Sequence, residues 1–335
     1  MDRLAGSGRR AVVAPLVISI GMVFLFVWLF GAALHDPKPH DLRVGVVGPA
    51  TILPQLEAGL EANAPGAFAL SSYSSADEAR AAIGDREIVG AAVVGADDPL
   101  VMVASAAGQP AAGAISGALT GVAQALGKTA VVEDVQPLPD SDSRGLVPFF
   151  LVMGVSISAF IFQVLTCTVS GPFRLRSGVV PLVVFAVLAG LLAALAVGIV
   201  VGFDSGYWPL AGVCALLALA VASATAAFTS LFGRAGIAVA GIVLILLGNA
   251  SSGSVIGSAF LPQPFRWLSP VLPAGAGLEA ARSALYFEGA GLGWSLGALA
   301  LWVAGSFVVL GGVAMVRARM KPALERTRAL EGTSW

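Results

Sequence analysis

Long apolar runs separated by short polar connections fill most of the chain, and one region follows a different rhythm. The runs cover residues 11–34, 146–169, 179–202, 208–232, 236–252 and 293–316. At about 1.5 Å per helical residue, some twenty apolar residues cross a hydrocarbon core of about 30 Å. The pattern therefore predicts six transmembrane helices. A cleaved leader is the rival reading of the first run, but its apolar part would be only about 7–15 residues long. The run 11–34 is longer and carries no charge, so an uncleaved first span is expected.

Between the first two runs, residues 35–145 alternate short elements. Strands are expected at 42–47, 68–73, 87–94, 100–105 and 129–135, and helices at 51–62, 76–83 and 111–126. Ser75 followed by Glu78 is a helix-start signal, and Asp97-Asp98-Pro99 is a turn signal. Strands alternating with helices imply a small α/β domain built on one sheet. Residues 100–126 are apolar enough to imitate a span, but Gly108-Gln109-Pro110 interrupts them. Gly113, Gly117 and Gly121 then recur every four residues, and this smooth helix face is expected to lie close on the sheet.

A third texture occupies 255–290, between the fifth and sixth runs. Pro262, Pro264, Pro270 and Pro273 prevent a continuous spanning helix. From Pro273 onward, Leu278, Ala281, Arg282, Leu285 and Tyr286 recur at helical spacing. Irregular backbone is tolerated at membrane depth only where protein or a water-filled cavity covers it. The segment is expected to be a re-entrant helical hairpin; the alternative is an interfacial loop with Trp267 and Tyr286 at the headgroups.

Composition agrees with this layout. The chain is 57% hydrophobic and 12% charged, against about a quarter charged in soluble domains. Its net charge of −1 conceals two populations. Segments 1–10, 170–178, 233–235 and 317–335 hold eleven of the 19 Lys and Arg residues, whereas 35–144 hold fourteen acidic residues against six basic. Basic loops mark the cytoplasmic face. Both termini are therefore expected in the cytoplasm, with the α/β domain and the hairpin outside. The arginine, alanine and glycine bias fits a GC-rich bacterial genome, and hence a bacterial inner (plasma) membrane.

Little in the chain points to catalysis. Residues 121–129 imitate a phosphate-binding loop, but five residues separate Gly121 from Gly127 where that motif has four. The imitation also closes a helix, where a true loop opens one. His35, Asp36, His40 and Asp41 could form a metal set, yet Pro37 and Pro39 make linker the better reading. Cys167 and Cys214 lie in apolar runs and read as small buried hydrophobes. No enzyme activity, cofactor, metal or nucleic-acid partner is expected.

The six runs contain no Asp, Glu, Lys or His, which argues against a proton- or ion-coupled carrier. Their polar groups are mild: Ser156, Ser158, Gln163 and Thr166 in the second run, and Asn249, Ser251 and Ser252 closing the fifth. Ser156, Gln163 and Ser170 are seven residues apart and share a stripe, either a helix seam or a weakly polar translocation path. Gly198 and Gly202 are spaced for close helix packing. Glu279 and Arg282 are three apart and can pair, either at the headgroups or as part of an outer gate.

One span, a small α/β domain and then five spans resembles the ABC-2-type transporter permeases. The junction 132–146, VEDVQPLPDSDSRGL, looks like the phage-infection-protein-like (YhgE/Pip) branch of that family. Residues 270–277 and 285–287, before the last run, look like the permeases' hairpin. The resemblance implies an export subunit that pairs with a second permease half and docks a cytoplasmic ATPase. Carried over by position, Arg174 and Arg176 would lie at that ATPase contact. The little-charged spans suggest an amphipathic or lipid-like substrate. The alternative of another class is an ATP-independent membrane surface or scaffold protein, whose outer domain binds an extracellular partner.

Overall fold

The computed structural model describes residues 2–95, 98–202 and 206–331. The Asp97 part of the expected turn and residues 203–205 lie outside the described residues, as do the side chains of Arg3, Arg9, Arg10, Lys321, Arg326 and Arg328.

Helix α1 (Asp2–Leu34) leads into the alternating region. Its elements are β1 (Leu42–Val47), α2 (Ile52–Asn63), β2 (Phe68–Tyr73), α3 (Ala76–Gly84), β3 (Gly90–Val93), β4 (Leu100–Val103), α4 (Gln109–Ala125) and β5 (Val131–Asp134). They form a five-stranded sheet in the order β2-β1-β3-β4-β5, with β3 and β4 antiparallel and the other neighbours parallel. Side chains alternate across a strand, and the two faces meet different partners. Ala92 pairs with Val101, and both belong to the core under α2 and α4. Ala91 pairs with Met102, and both face a second core with Ala79, Ala82 and Ile83 of α3. Tyr286 and Phe287, some 180 residues later in the chain, complete that second core. At the start of α3, the Ser75 hydroxyl accepts the Glu78 amide at 3.1 Å, and the Glu78 carboxylate accepts the Ser74 amide at 2.8 Å.

The glycine stripe of α4 does not lie on the sheet. Ala111, Ala112, Ile115, Leu119 and Ala123 take that face, while Gly113, Gly117 and Gly121 are exposed with nothing within 4 Å of a built Cβ. The larger apolar side chains cover more sheet, so they decide which way the helix turns.

The helical bundle follows. Among the described residues four helices are long and apolar enough to cross a membrane: Val147–Ser170 (α5), Leu175–Val201 (α6), Tyr207–Phe232 (α7), and the first part, Leu292–Met320, of α12 (Leu292–Glu331). Shorter apolar stretches occupy Ser19–Leu34 of α1 and Ala235–Ser251. The latter is α8 (Ala235–Ala240), a π-helical segment (Gly241–Leu247) and α9 (Gly248–Ser251), running on without a break. Helix α7 is the hub. Of its most apolar 18-residue window 78% is buried, against 17–33% for the other three long helices. Its alanines pack against α5, α6 and α12. Helix α1 joins the bundle through its last turns, where Leu29 and Ala33 meet Leu246, Ala250, Leu261 and Phe265.

Three expectations change here. Helix α6 begins at Leu175, so Arg176 stands in its first turn and outside the connecting loop. Gly202 is the C-cap of α6, with φ +83 and open space around it. Close packing of α6 on α7 falls instead to Gly190, where a Cβ would come 2.4 Å from the Ala211 carbonyl oxygen. The expected polar tail after 316 continues as helix to Glu331, because Ala, Leu, Arg and Glu favour helix.

The segment 255–290 has one substantial helix. Its first limb is a 3-10 turn (Ser258–Phe260) and the single-turn α10 (Phe265–Leu268), since the clustered prolines withhold helical donors. Its second limb is α11 (Pro273–Tyr286), most of which is buried in the bundle. Two tryptophans of α12 fasten the turn between them: Trp302 Nε1 donates to the Val271 carbonyl at 2.8 Å, and Trp294 Nε1 to that of Pro270 at 3.2 Å.

Candidate functional site

The chain places its polar chemistry at three levels: the sheet-side end of the bundle, a seam within it, and the far end.

At the sheet-side end, α11 carries Glu279, Arg282, Ser283 and Tyr286. Glu279 lies 3.0 Å from Arg282 Nη1 and 2.5 Å from Arg86 Nη2, so one carboxylate joins two guanidiniums. Arg86 follows α3 in the sheet domain; it also donates to the Glu279 carbonyl at 3.0 Å and to the Ser283 hydroxyl. Its guanidinium sits 5.0 Å over the Phe287 ring. Arg282, only 5% exposed in its side chain, donates to the Ser254 carbonyl at 2.9 Å. Burial works to raise the Glu279 carboxyl, but the charges of Arg282 and then Arg86 outweigh it and hold the group below the usual glutamate range.

One turn further along α11, the Tyr286 hydroxyl donates to Asp142. Asp142 is buried, and it also accepts the amides of Leu146 at 2.9 Å and Val147 at 3.1 Å, capping α5. Burial, then the hydrogen bond and charge of Asp142, push the Tyr286 phenol up. Gln136 adds a bond to the Tyr286 carbonyl. The expected Glu279–Arg282 pair is therefore part of a larger assembly that locks the sheet domain, the start of α5 and α11 together. Arg86, Gln136, Asp142 and Tyr286 were not expected as partners. Asp142 stands four residues before an apolar run, too far to read as its N-cap, and for Arg86 no local signal exists.

Within the bundle, Ser156 and Gln163 lie on the buried face of α5 with Val152, Val155 and Ala159. Gln163 Nε2 donates to Cys167 Sγ at 3.2 Å, and Cys167 lies 3.6 Å from the Thr229 hydroxyl of α7. Neither the Ser156 hydroxyl nor Gln163 Oε1 has a hydrogen-bond partner among the described residues. Thr166, Asn249 and Ser252 bond carbonyls of their own helices, at 2.8, 2.7 and 2.8 Å. Ser170 is exposed, and Ser158 faces an apolar groove of about 650 Å3 between α5 and α6. The structure thus brings Ser156 and Gln163 together in a packed seam and leaves Thr166, Asn249 and Ser252 apart from them.

At the far end, Arg174 is the N-cap of α6 and Arg176 stands in its first turn. Both line a cavity of about 1090 Å3 with Phe173, Ser230 and Arg317 of α12. Arg317 donates to the Ser230 carbonyl at 3.1 Å. Cations at a helix N-terminus oppose its dipole by about 0.3–1 kcal/mol each, so this term does not favour their placement.

The arrangement is that of a multi-helix membrane protein, with a partly helical segment sunk into its bundle and a sheet domain seated on that segment. The family described as ABC-2 family transporter protein matches residues 12–312, and the chain belongs to it. This makes it a membrane permease component of an ABC transporter, a class that carries no catalysis of its own and typically works with an ATPase subunit. No curated protein and no solved structure matches the chain.

Proposed function

We propose that the chain is the permease of an ATP-driven exporter, with six spans: α1, α5, α6, α7, the α8–α9 rod and α12. The basic connections face the cytoplasm, the sheet domain projects outside, and residues 255–290 dip into the outer leaflet. Burial of α11 among α5, α7 and α12 supports the re-entrant placement. In this reading Glu279 and Arg282 belong to the outer gate, and the seam of Ser156 and Gln163 is where two packed helices part. Exposed Leu16, Val17, Ile20, Val23, Phe24 and Val27 of α1 offer a surface to a second permease subunit or to lipid. The substrate is amphipathic or lipid-like, in keeping with apolar grooves of about 620 Å3 between α7 and α12 and about 650 Å3 between α5 and α6.

The observation that carries the ATPase contact is the far-end cavity with Arg174, Arg176 and Arg317 on its wall. Affinity purification in mild detergent should recover a stoichiometric ATPase chain. Arg174→Glu with Arg176→Glu should release it without changing the yield of the permease. Unchanged co-purification would remove the assignment.

A second reading has one observation in its favour. A groove of about 630 Å3 between α2 and α4, floored in part by the open Gly117 and Gly121, gives the sheet domain a surface for an extracellular partner. An ATP-independent scaffold would use it, and would purify without any ATPase.

A further inference from the structure

Eight basic residues lie in the sheet domain and the segment 255–290, and four of them converge on one cleft. Arg43 and Arg86 come from the sheet domain, and Arg266 and Arg282 from the two limbs of the segment. The cleft encloses about 280 Å3 and is also lined by His40, Asp41 and Glu279. Four guanidiniums face two carboxylates there, although across the sheet domain and the segment together acidic residues outnumber basic ones sixteen to eight. The local sign of charge is reversed. General attraction between an acidic domain and its base does not explain this, because the arginines gather with one another.

The hydrogen bonds show which groups hold the cleft and which are left for a ligand. Arg86 and Arg282 are committed to Glu279, at 2.5 and 3.0 Å, and form the buried wall. Arg266 gives Nε and one Nη to the Gln263 side-chain oxygen, each at 3.2 Å, and its other Nη pairs at 3.0 Å with Asp41, an aspartate whose side chain is 72% exposed and therefore weakly held, so it is this last Nη that a ligand can claim. Arg43 gives one Nη to the Arg86 carbonyl at 3.0 Å, and its other donors have no partner among the described residues. Asp142, engaged by two amides and Tyr286, does not line the cleft. Planar guanidiniums in a sheltered pocket recognise phosphate or carboxylate oxygens bidentately.

We infer that this cleft binds a phosphate-bearing anion, held by Arg43 and Arg266 over the wall formed by Arg86 and Arg282. Its volume suits a phosphate with a small polar substituent. A lipid headgroup and a soluble phosphate ester share that chemistry. The inference stands on the cleft alone and is independent of whether the chain exports anything.

The test uses the full-length chain in nanodiscs of phosphatidylcholine, with and without phosphatidylglycerol, and separate titrations with inorganic phosphate and glycerol 1-phosphate. Bound lipid is read by native mass spectrometry and soluble ligand by the shift in thermal midpoint. Wild type should retain phosphatidylglycerol, or respond to one of the soluble phosphates. Arg43→Gln with Arg266→Gln should weaken that binding at least tenfold, and Arg43→Lys with Arg266→Lys should restore part of it. Retained phosphatidylglycerol that neither soluble phosphate displaces identifies a headgroup site; displacement identifies a soluble ester. Wild type that neither prefers phosphatidylglycerol to phosphatidylcholine nor responds to either phosphate overturns the proposal, whatever the variants do. Equal binding by wild type and the Gln double variant overturns it too.

Discussion

Glu279 is the residue whose removal tests the architecture most directly. Replacing it with Gln keeps the shape and removes the charge that two guanidiniums share, one 15% exposed (Arg86) and the other 5% (Arg282). Breaking a buried ion pair by removing one partner costs about 3–5 kcal/mol. The carboxylate is 30% exposed, which places Glu279→Gln near the lower end, at about 3 kcal/mol. At about 2–4 °C per kcal/mol, the thermal midpoint should fall by about 6–12 °C. The assay is tryptophan-fluorescence melting of purified chain in nanodiscs, run for wild type, Glu279→Gln, Arg86→Gln and the double variant. Residues joined in one network do not add, so the double variant should be less damaged than the sum of the singles, by about 1–3 kcal/mol. The same set gives a pH dependence. The folded carboxyl lies below its ordinary value of 4.5, so its contribution is fully present above that value and is lost as pH falls through the folded one. Wild type and Glu279→Gln should therefore differ by a constant amount above pH 4.5 and converge below it. Additive single effects, or a gap that persists unchanged into acid, would refute the shared-carboxylate account.

Other perturbations reach other parts of the fold. Gly190→Leu should separate α6 from α7, because even a Cβ there meets the Ala211 carbonyl oxygen at 2.4 Å; melting should show a loss of at least about 1–3 kcal/mol. Tyr286→Phe removes one donor from the buried Asp142 carboxylate and should cost about 1.5–3 kcal/mol, with Asp142→Ala worse because the α5 cap goes as well. Single cysteines at Ser72 and Ser177, in a chain with Cys167 and Cys214 replaced, should react with a membrane-impermeant maleimide in intact cells only at Ser72. Labelling at Ser177 alone would invert the proposed topology.

What was legible in the sequence follows from the range of the interaction that writes it. The short apolar strand β1, the Ser75 start of α3 and the charge-free runs are local, and each is visible within about a dozen residues. The direction of the α4 glycine stripe was misread, because spacing shows that a smooth face exists but not what it meets. The start of α6 is hard to read locally, since an arginine such as Arg176 suits a loop as well as a first helical turn. The single-turn α10 and the burial of α11 depend on neighbours that periodicity cannot name. At the candidate site, Glu279 and Arg282 were visible as a pair because they share a helix. Arg86 was not, since it reaches them from 193 residues away.

Tyr286 and Phe287 plug one face of the sheet against Ala79, Ile83 and Met102. The α/β region is thus a cap whose seal is supplied from the other end of the gene product. Expressed by itself, it would present a greasy socket to water and invite self-association. In the intact chain, a force that tilts this cap reaches the buried limb beneath it through these two rings as well as through the Arg86–Glu279 pair.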